Sequence, residues 1–221
     1  MALILNIDTS VNTTYVSIAK GGLMLQEFFS IDQKSNATNL HTAIQEILAQ
    51  ANIKITEINA VAVANGPGSY TGLRIGLATA KGLCYALKIP LITIGTLEMM
   101  AQQIILKENP QNCLLCPMID ARRMEVFTAL YDTEMNEILA PCAMVLNTES
   151  FSENLKEYKI LFFGNGKEKW LNINNNDNAL FHDTEQFHNS LNIISLNKFI
   201  QGNFSDLGYT EPLYVKEFYN P

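Results

Sequence analysis

The chain contains no long apolar run. Nowhere in its 221 residues is there a stretch of the roughly 18 to 20 apolar residues that span a bilayer. The N-terminal segment MALILNIDTS has a short apolar core and no basic flank, so we interpret it as a first strand rather than a signal peptide. These features predict a cytoplasmic protein with no membrane partner.

Cysteine and histidine are scarce. Cys113 and Cys116 have a spacing found in zinc and redox sites, but no second pair of ligands accompanies them. Buried thiols are the simpler interpretation. The 3 histidines are scattered along the chain, and His41 has the setting of a surface residue. Cysteine and histidine therefore indicate no zinc site, and we expect the chain to use no cofactor.

Basic residues are outnumbered. Lys and Arg together number 15 against 22 Asp and Glu, which gives a net charge of −7 and a pI near 5.0. This balance argues against nucleic-acid binding by the chain alone through a broad basic surface. Another subunit of an assembly could still supply such a surface.

The sequence repeats itself. NIDTSVNTTYVSIAKGGL and MIDARRMEVFTALYDTEM align without a gap, Asp8 on Asp120, and a third strand pattern follows each segment. Helices and strands then alternate in the first half and, more loosely, in the second. We therefore predict two three-layered α/β units with mixed sheets, covering residues 1–108 and 109–221.

Individual elements follow from apolar periodicity and from helix-stopping residues. The predicted helices cover residues 38–51, 71–88, 96–106, 150–156 and 191–200, and residues 172–178 (NINNNDN) are expected to form an exposed loop.

The stretch VAVANGPGSYTGLRIG, residues 61–76, reads as a strand, a glycine-rich turn and the start of a helix. Gly66 and Gly68 permit unusual backbone angles, Pro67 stiffens the turn, and Ser69 or Thr71 can cap the helix. Such a turn can bind a phosphate. However, it matches no P-loop, dinucleotide fingerprint or nucleophile elbow, so a tight turn without a ligand is an equal alternative.

The helix after this turn contains two stripes of small residues. They are Gly72, Gly76 and Ala80 in the first stripe, and Ala78, Gly82 and Ala86 in the second. Glycine in a helix costs on the order of 1 kcal/mol relative to alanine, so these glycines need a reason. One stripe can lie on the sheet and the other can meet a neighbouring helix; internal packing alone is the alternative.

Asp8 and Asp120 are carboxylates placed symmetrically at strand ends. Together they could hold Mg²⁺ and nucleotide phosphates. The alternative is turn chemistry, in which each side chain caps its own hairpin. Arg122 and Arg123 follow the second aspartate, where a phosphate loop would carry small residues, and this favours the turn.

Several motifs together resemble the TsaB (YeaZ) family of bacterial tRNA-modification proteins. They are NIDTS, VAVANGPGSYTGLRIGLATAKGL, IPLITIGTLEMM and MIDARRMEVF within residues 3–130, supported by FFGNG at 162–166 and EPLYVK at 211–216. The resemblance implies the duplicated actin-like fold (ASKHA, ribonuclease H-like), in agreement with the repeat.

The resemblance also implies that the chain is not itself an enzyme. The catalytic paralogue TsaD binds a metal through a His-x-x-x-His pair, and the matching positions here are Thr96 and Met100. Neither residue can replace an imidazole. The metal site is therefore expected to be absent.

The partners that the family implies are TsaD and the small ATPase TsaE. Their complex transfers a threonylcarbamoyl group from threonylcarbamoyl-adenylate to the adenosine beside the anticodon, and this chain would reach tRNA only indirectly. The helices at 38–51 and 72–87 would form a bundle with the partner, or with a second copy when the chain is alone. The expected interface residues are Leu40, Ile44, Ile47, Gly72, Arg74, Gly76 and Ala80, and a vestigial phosphate loop would comprise Asp8, Gly66, Gly68, Ser69, Thr71 and Asp120.

Two alternatives come from other classes of protein. One is an independent actin-like, ATP-dependent phosphotransferase that holds Mg-ATP with Asp8, Asp120 and the glycine turn. Arg122 and the lack of an obvious general base count against this version. The other alternative is a free homodimer with an unrelated binding role.

Overall fold

The computed structural model describes residues 1–11, 13–31, 36–183 and 188–216, with only the backbone described for residues 36–39. The first half contains β1 (Leu3–Asp8), β2 (Thr14–Lys20), β3 (Leu23–Ser30), α1 (Asn36–Gln50), β4 (Ala60–Gly66), α2 (Tyr70–Leu87), β5 (Leu91–Gly95) and α3 (Thr96–Glu108). The second half contains β6 (Cys113–Asp120), β7 (Glu125–Tyr131), β8 (Glu137–Val145), α4 (Ser152–Glu157), β9 (Lys159–Phe163), α5 (Lys167–Leu171), β10 (Ala179–His182) and α6 (Asn189–Ile200).

The strands form two five-stranded sheets with one topology. Their orders are β3-β2-β1-β4-β5 and β10-β9-β6-β7-β8. Read from its other end, the second order is β8-β7-β6-β9-β10, in which each strand is the fifth after its counterpart in the first sheet. In each sheet a three-stranded antiparallel meander continues into parallel strands. The predicted duplication, with two mixed α/β sheets, is confirmed.

Sheet alternation explains the three layers of the first unit. Leu5 and Ile7 point to the face where the apolar side chains of α1 and α2 pack. Asn6, between them in sequence, points to the other face, where its side-chain amide donates to Asn192 Oδ1 on α6 at 2.9 Å. The two faces of β1 thus have different chemistry, one apolar and one hydrogen-bonded.

The compact units have other boundaries than the predicted 1–108 and 109–221. Unit 1 consists of Met1–Thr96 and His188–Leu213, and unit 2 consists of the described parts of Leu97–Phe187 and Tyr214–Pro221. The reason is packing. The apolar side chains of α3, such as Leu97 and Ile104, join the core that contains Leu115 of β6, whereas α6 packs on the sheet of unit 1.

The two copies of the first hairpin differ in register by one residue. Asp8 pairs with Tyr15, but Asp120 pairs with Val126, and Phe127 lies opposite Ile119. The connection from β6 to β7 is therefore one residue shorter than the connection from β1 to β2. The gapless sequence alignment does not reveal this difference.

All five predicted helices are present, with small shifts at their ends. Residues 172–178 form no helix or strand, as expected. Neither α5 nor β10 was predicted, because they are only 5 and 4 residues long and therefore too short for a periodic pattern. Among the described helices, none is long and apolar enough to span a membrane.

Candidate functional site

The glycine turn between β4 and α2 ends in a capped helix. Ser69 is the N-cap, and its hydroxyl oxygen accepts a hydrogen bond from the backbone N–H of Gly72 at 3.3 Å. Thr71 lies exposed in the first turn of α2. Gly66 has a φ of +115°, and a Cβ there would lie 2.7 Å from the carbonyl oxygen of Leu213. The predicted strand, turn and helix are all present.

The chain itself fills the space over this turn. The backbone N–H of Ser69 donates to the carbonyl oxygen of Ser10 at 2.6 Å. A Cβ on Gly68 would lie 2.1 Å from that same oxygen, and a Cβ on Gly72 would lie 2.0 Å from the carbonyl oxygen of Thr9. These glycines are therefore required by the close approach of the β1–β2 connection.

Asp8 is fully buried beside this connection. Its Oδ1 accepts hydrogen bonds from the backbone N–H and the hydroxyl of Ser10, at 2.8 and 2.6 Å. Its Oδ2 lies 3.3 Å from Nδ1 of His188, and the imidazole of His188 stacks on the ring of Tyr15 at 4.3 Å. Asp8 is thus surrounded by groups of unit 1.

Two opposing effects determine the pKa of Asp8. Burial alone would raise it, but the hydrogen bond and charge of His188, with the two Ser10 donors, together hold it below the ordinary value. The carboxylate form is therefore stabilised inside the unit, where it contacts His188 at the start of α6 and caps the hairpin turn at Ser10.

Asp120 occupies the equivalent position in unit 2 but is exposed. Its Oδ1 accepts from the backbone N–H of Arg122 at 2.6 Å and from Nζ of Lys169 at 2.8 Å. The hydrogen bond from Lys169 is the main reason that the pKa of Asp120 is lowered. Both aspartates therefore cap their own turns through the N–H two residues later, which is the turn chemistry considered from the sequence.

A second glycine turn lies beside Asp120. Gly164 has a φ of +96°, close to that of Gly66, and Gly166 follows it with the same spacing as Gly68 follows Gly66. Asn165 Oδ1 accepts from the backbone N–H of Asp120 at 2.8 Å. This turn was not identified from the sequence as a copy of the turn at Gly66. The Gly-x-Gly pattern after an apolar strand, which the two segments share, could have revealed it.

The residues predicted to meet a partner lie mostly inside unit 1. Leu40, Ile44, Ile47 and Ala80 belong to its hydrophobic core, with exposed fractions between 0% and 4%. Gly72 and Gly76 are buried against Thr9. Only Arg74 is exposed, with its guanidinium 4.0 Å from the ring centre of Tyr70. A bulky residue at position 76 or 80 would therefore disturb the fold of the chain itself.

The other stripe of small residues is the exposed one. Ala78, Gly82 and Ala86 all face outward on α2, and a Cβ on Gly82 would meet no atom of the described residues within 4 Å. Beside them, Tyr85 is 79% exposed. A mainly apolar groove of about 330 Å³ runs here and is lined by His41, Ala78, Thr79, Gly82 and Leu83. Within residues 1–11, 13–31, 36–183 and 188–216, no contact accounts for the glycine at position 82.

No group of three or more His, Cys, Asp and Glu side chains converges within residues 1–11, 13–31, 36–183 and 188–216. Thr96 and Met100, the two positions that the resemblance led us to compare with a metal-binding pair, are 0% and 4% exposed at the start of α3. Cys113 and Cys116 are buried, and burial raises the pKa of both thiols. The residue types at these positions do not suit a catalytic metal.

Comparison with known proteins gives a consistent result. The model of a family described as TsaD, tRNA N6-adenosine threonylcarbamoyltransferase, matches residues 30–173. The protein TsaB of Escherichia coli (strain K12), named for tRNA threonylcarbamoyladenosine biosynthesis, is 28% identical over 96% of this chain and 94% of its own length. The TsaB protein of Bacillus subtilis (strain 168) is 32% identical over 73% of this chain and 70% of its own.

The fold of the chain is also found in a solved structure. YeaZ from Pseudomonas aeruginosa superposes with a TM-score of 0.79 at 19% identity, covering 97% of this chain and all of that chain. At that identity the likeness shows the fold alone, the duplicated actin-like architecture.

Proposed function

This chain belongs to the TsaD family and, within it, to the TsaB proteins, and from that premise we propose that it is a non-catalytic dimerisation subunit. It pairs with a TsaD-type catalytic paralogue. The pair transfers a threonylcarbamoyl group to the adenosine beside the anticodon of tRNA. The cytoplasmic location expected from the sequence is part of the same proposal.

The observation that supports pairing is the outer face of α2. Gly82 lowers helix stability by on the order of 1 kcal/mol relative to alanine, and none of the residues that the structure describes lies close enough to need the missing Cβ. Ala78 and Ala86 extend the same small surface by one turn in each direction. Small side chains let a second helix approach closely, so a partner helix accounts for the glycine.

The surroundings of Asp8 support a non-catalytic role. The carboxylate is enclosed by Ser10 and His188, and the glycine turn is occupied by the backbone of Thr9 and Ser10. Mg-ATP would have to displace these contacts, which weakens the phosphotransferase alternative. We expect a calorimetric titration of the isolated chain with Mg-ATP to show no heat of binding; a saturable signal would revive that alternative.

The pairing surface can be tested with one position on α2. Gly82→Leu adds bulk outside the core, so we expect at least a tenfold loss of affinity for the TsaD-type partner in a titration. The free energy of unfolding should not fall. Ala140→Leu, at an exposed site on β8, adds a leucine elsewhere and serves as the matched control. Unchanged affinity of the Gly82→Leu variant would rule out this surface.

The role in the reaction needs a separate measurement. Threonylcarbamoyl transfer to tRNA is assayed with the metal-loaded TsaD-type partner, a TsaE-type ATPase, ATP and threonylcarbamoyl-adenylate, with and without this chain. We expect transfer to require the chain, and the chain alone to be inactive. Full transfer in its absence would contradict the proposal. Sedimentation of the chain alone tests whether the same surface forms a homodimer.

A further inference from the structure

The connection between β6 and β7 carries Arg122 and Arg123, two of the 3 arginines in the chain. Their φ angles are +71° and +46°, in the left-handed region that side chains rarely adopt. The turn is fixed by three hydrogen bonds. The Arg122 N–H donates to Oδ1 of the Asp120 side chain, the Glu125 N–H to the Arg122 carbonyl, and the Ala121 N–H to the Glu125 carbonyl. Glycine or asparagine would suit this backbone better. The backbone of the turn therefore does not explain why arginines stand here.

The two guanidinium groups are exposed and have no partner within the described part of the chain. The neighbouring acids are already matched. Lys169 binds Asp120 at 2.8 Å, and Lys216 forms an ion pair with Glu125. The charges of the two arginines are therefore not offset locally, although the chain as a whole has a net charge of −7.

We propose that this turn binds backbone phosphates of tRNA. Guanidinium groups bind phosphate oxygens through paired, charge-assisted hydrogen bonds. An exposed turn suits a phosphodiester backbone, which is contacted on the outside of a folded RNA, better than it suits a free nucleotide, which is normally bound in a cleft. The proposal rests on the proposed function. The direct contact with tRNA proposed here differs from the earlier expectation that this chain reaches tRNA only indirectly. That expectation fits the net charge of the whole chain, whereas contacts with phosphates depend on the charge near each contact.

The location of the turn strengthens the argument. It follows β6, and the carboxyl ends of the parallel strands β6, β9 and β10 lie at one edge of the sheet, where ligands bind in open α/β sheets. Lys169 follows β9 at this edge and its Nζ also donates to the carbonyl oxygen of Glu125. The backbone that carries the two arginines is thus held in place at this edge by hydrogen bonds.

The test uses the complex with the TsaD-type partner. Unmodified tRNA is titrated into the wild-type complex and into the complex with Arg122→Gly/Arg123→Gly, in a series of salt concentrations. Glycine relieves the left-handed backbone, so the variant should stay folded. If each arginine neutralises one phosphate, the slope of log affinity against log salt should become smaller by about 1.4 to 1.8. Lys107→Gln/Lys159→Gln removes two exposed charges at the opposite end of the sheet and should leave the slope unchanged.

Each outcome has a distinct meaning. If the wild-type complex does not form or does not bind tRNA, the proposed function and this inference both fail. If the wild type binds and the arginine variant shows the same slope, only the arginine contact is excluded. If the variant is folded but no longer binds its protein partner, the turn contacts protein and the RNA assignment is wrong. Competition of tRNA binding by ATP that disappears in the variant would assign the turn to a nucleotide instead.

Discussion

Asp8 in unit 1 and Asp120 in unit 2 end equivalent strands, and each accepts a hydrogen bond from the backbone N–H two residues later. A Gly-x-Gly turn lies beside each aspartate. In unit 1 the turn leads into the 18-residue helix α2, and His188, the N-cap of α6, lies against the carboxylate of Asp8. In unit 2 the turn leads into the 5-residue helix α5, and Asp120 stays exposed. Duplication therefore preserved the backbone frame, while the elements that cover it decided its chemistry.

This difference separates two kinds of surface. Unit 1 has a closed strand end and offers instead the small outer face of α2. Unit 2 has an open strand end that carries two unmatched arginines. The proposed functions follow the same division: helix pairing in unit 1 and phosphate contact in unit 2.

Replacing the second glycine of each Gly-x-Gly turn should give the largest losses in the free energy of unfolding, and the two losses should differ. Gly68→Ala places a Cβ 2.1 Å from the Ser10 carbonyl oxygen, a backbone atom that also accepts from Ser69. We expect a loss of about 3 kcal/mol or more in the free energy of unfolding. In Gly166→Ala the nearest atom is a methyl of Val126 at 2.9 Å, so a loss of about 1 to 2 kcal/mol is expected. Urea unfolding measures both, and equal losses would refute the distinction.

Removing each carboxylate charge should have the next largest effect. Asp8→Asn leaves His188 without its buried anion. Breaking such a pair typically lowers the free energy of unfolding by about 3 kcal/mol or more. Hydrogen bonds from the new amide would reduce this loss. Asp120→Asn weakens a pair with Lys169 in which the aspartate is 42% exposed. Solvent screens that pair, so the expected loss is about 1 kcal/mol or less. Thermal unfolding at pH 7 compares the two variants, and a larger loss for Asp120→Asn would reverse our interpretation.

Acid should reveal the same contrast in a different way. The pKa of Asp8 is lower in the folded than in the unfolded chain, so below roughly pH 4 the unfolded chain takes up the proton first. The stabilisation is therefore present above that pH and is lost as the pH falls towards the folded pKa. The pKa of Asp120 is also lowered, so this carboxylate too stabilises the fold above that pH. Added salt should weaken the stabilisation from exposed Asp120 and leave that from buried Asp8 nearly unchanged. Stability measured from pH 7 to pH 3 at two salt concentrations, for wild type and both Asn variants, tests this.

The smallest change in the free energy of unfolding is expected at Gly82, and this change is an increase rather than a loss. Gly82→Ala adds a Cβ where no atom lies within 4 Å, so unfolding should cost up to about 1 kcal/mol more. The same substitution at Gly76 would place a Cβ 2.4 Å from Oγ1 of Thr9 and should destabilise the chain. Urea unfolding of the two variants separates the outer stripe from the inner one. A destabilised Gly82→Ala variant would mean that the outer face is constrained within the monomer.

Several features of the site could be predicted from sequence. The strand, turn and helix at 61–87 follow from apolar alternation, glycine spacing and the Ser69 cap, and the two aspartates stand out because the repeat places them alike. The choice between the two stripes on α2 could not be made. Both have small residues at four-residue spacing, and only the position of Thr9 decides that Gly72 and Gly76 face inward. The Asp8–His188 pair joins residues far apart in the chain, with no local pattern to connect them.

The sequence by itself determined the duplicated α/β frame and the family, because periodicity and motifs are local properties. Only the tertiary structure decided which helix completes which sheet, which stripe of α2 is exposed, and which aspartate is enclosed. These are properties of packing. They depend on contacts such as those of Leu97 with the core of unit 2 and of His188 with Asp8, which form only when distant segments of the chain are brought together.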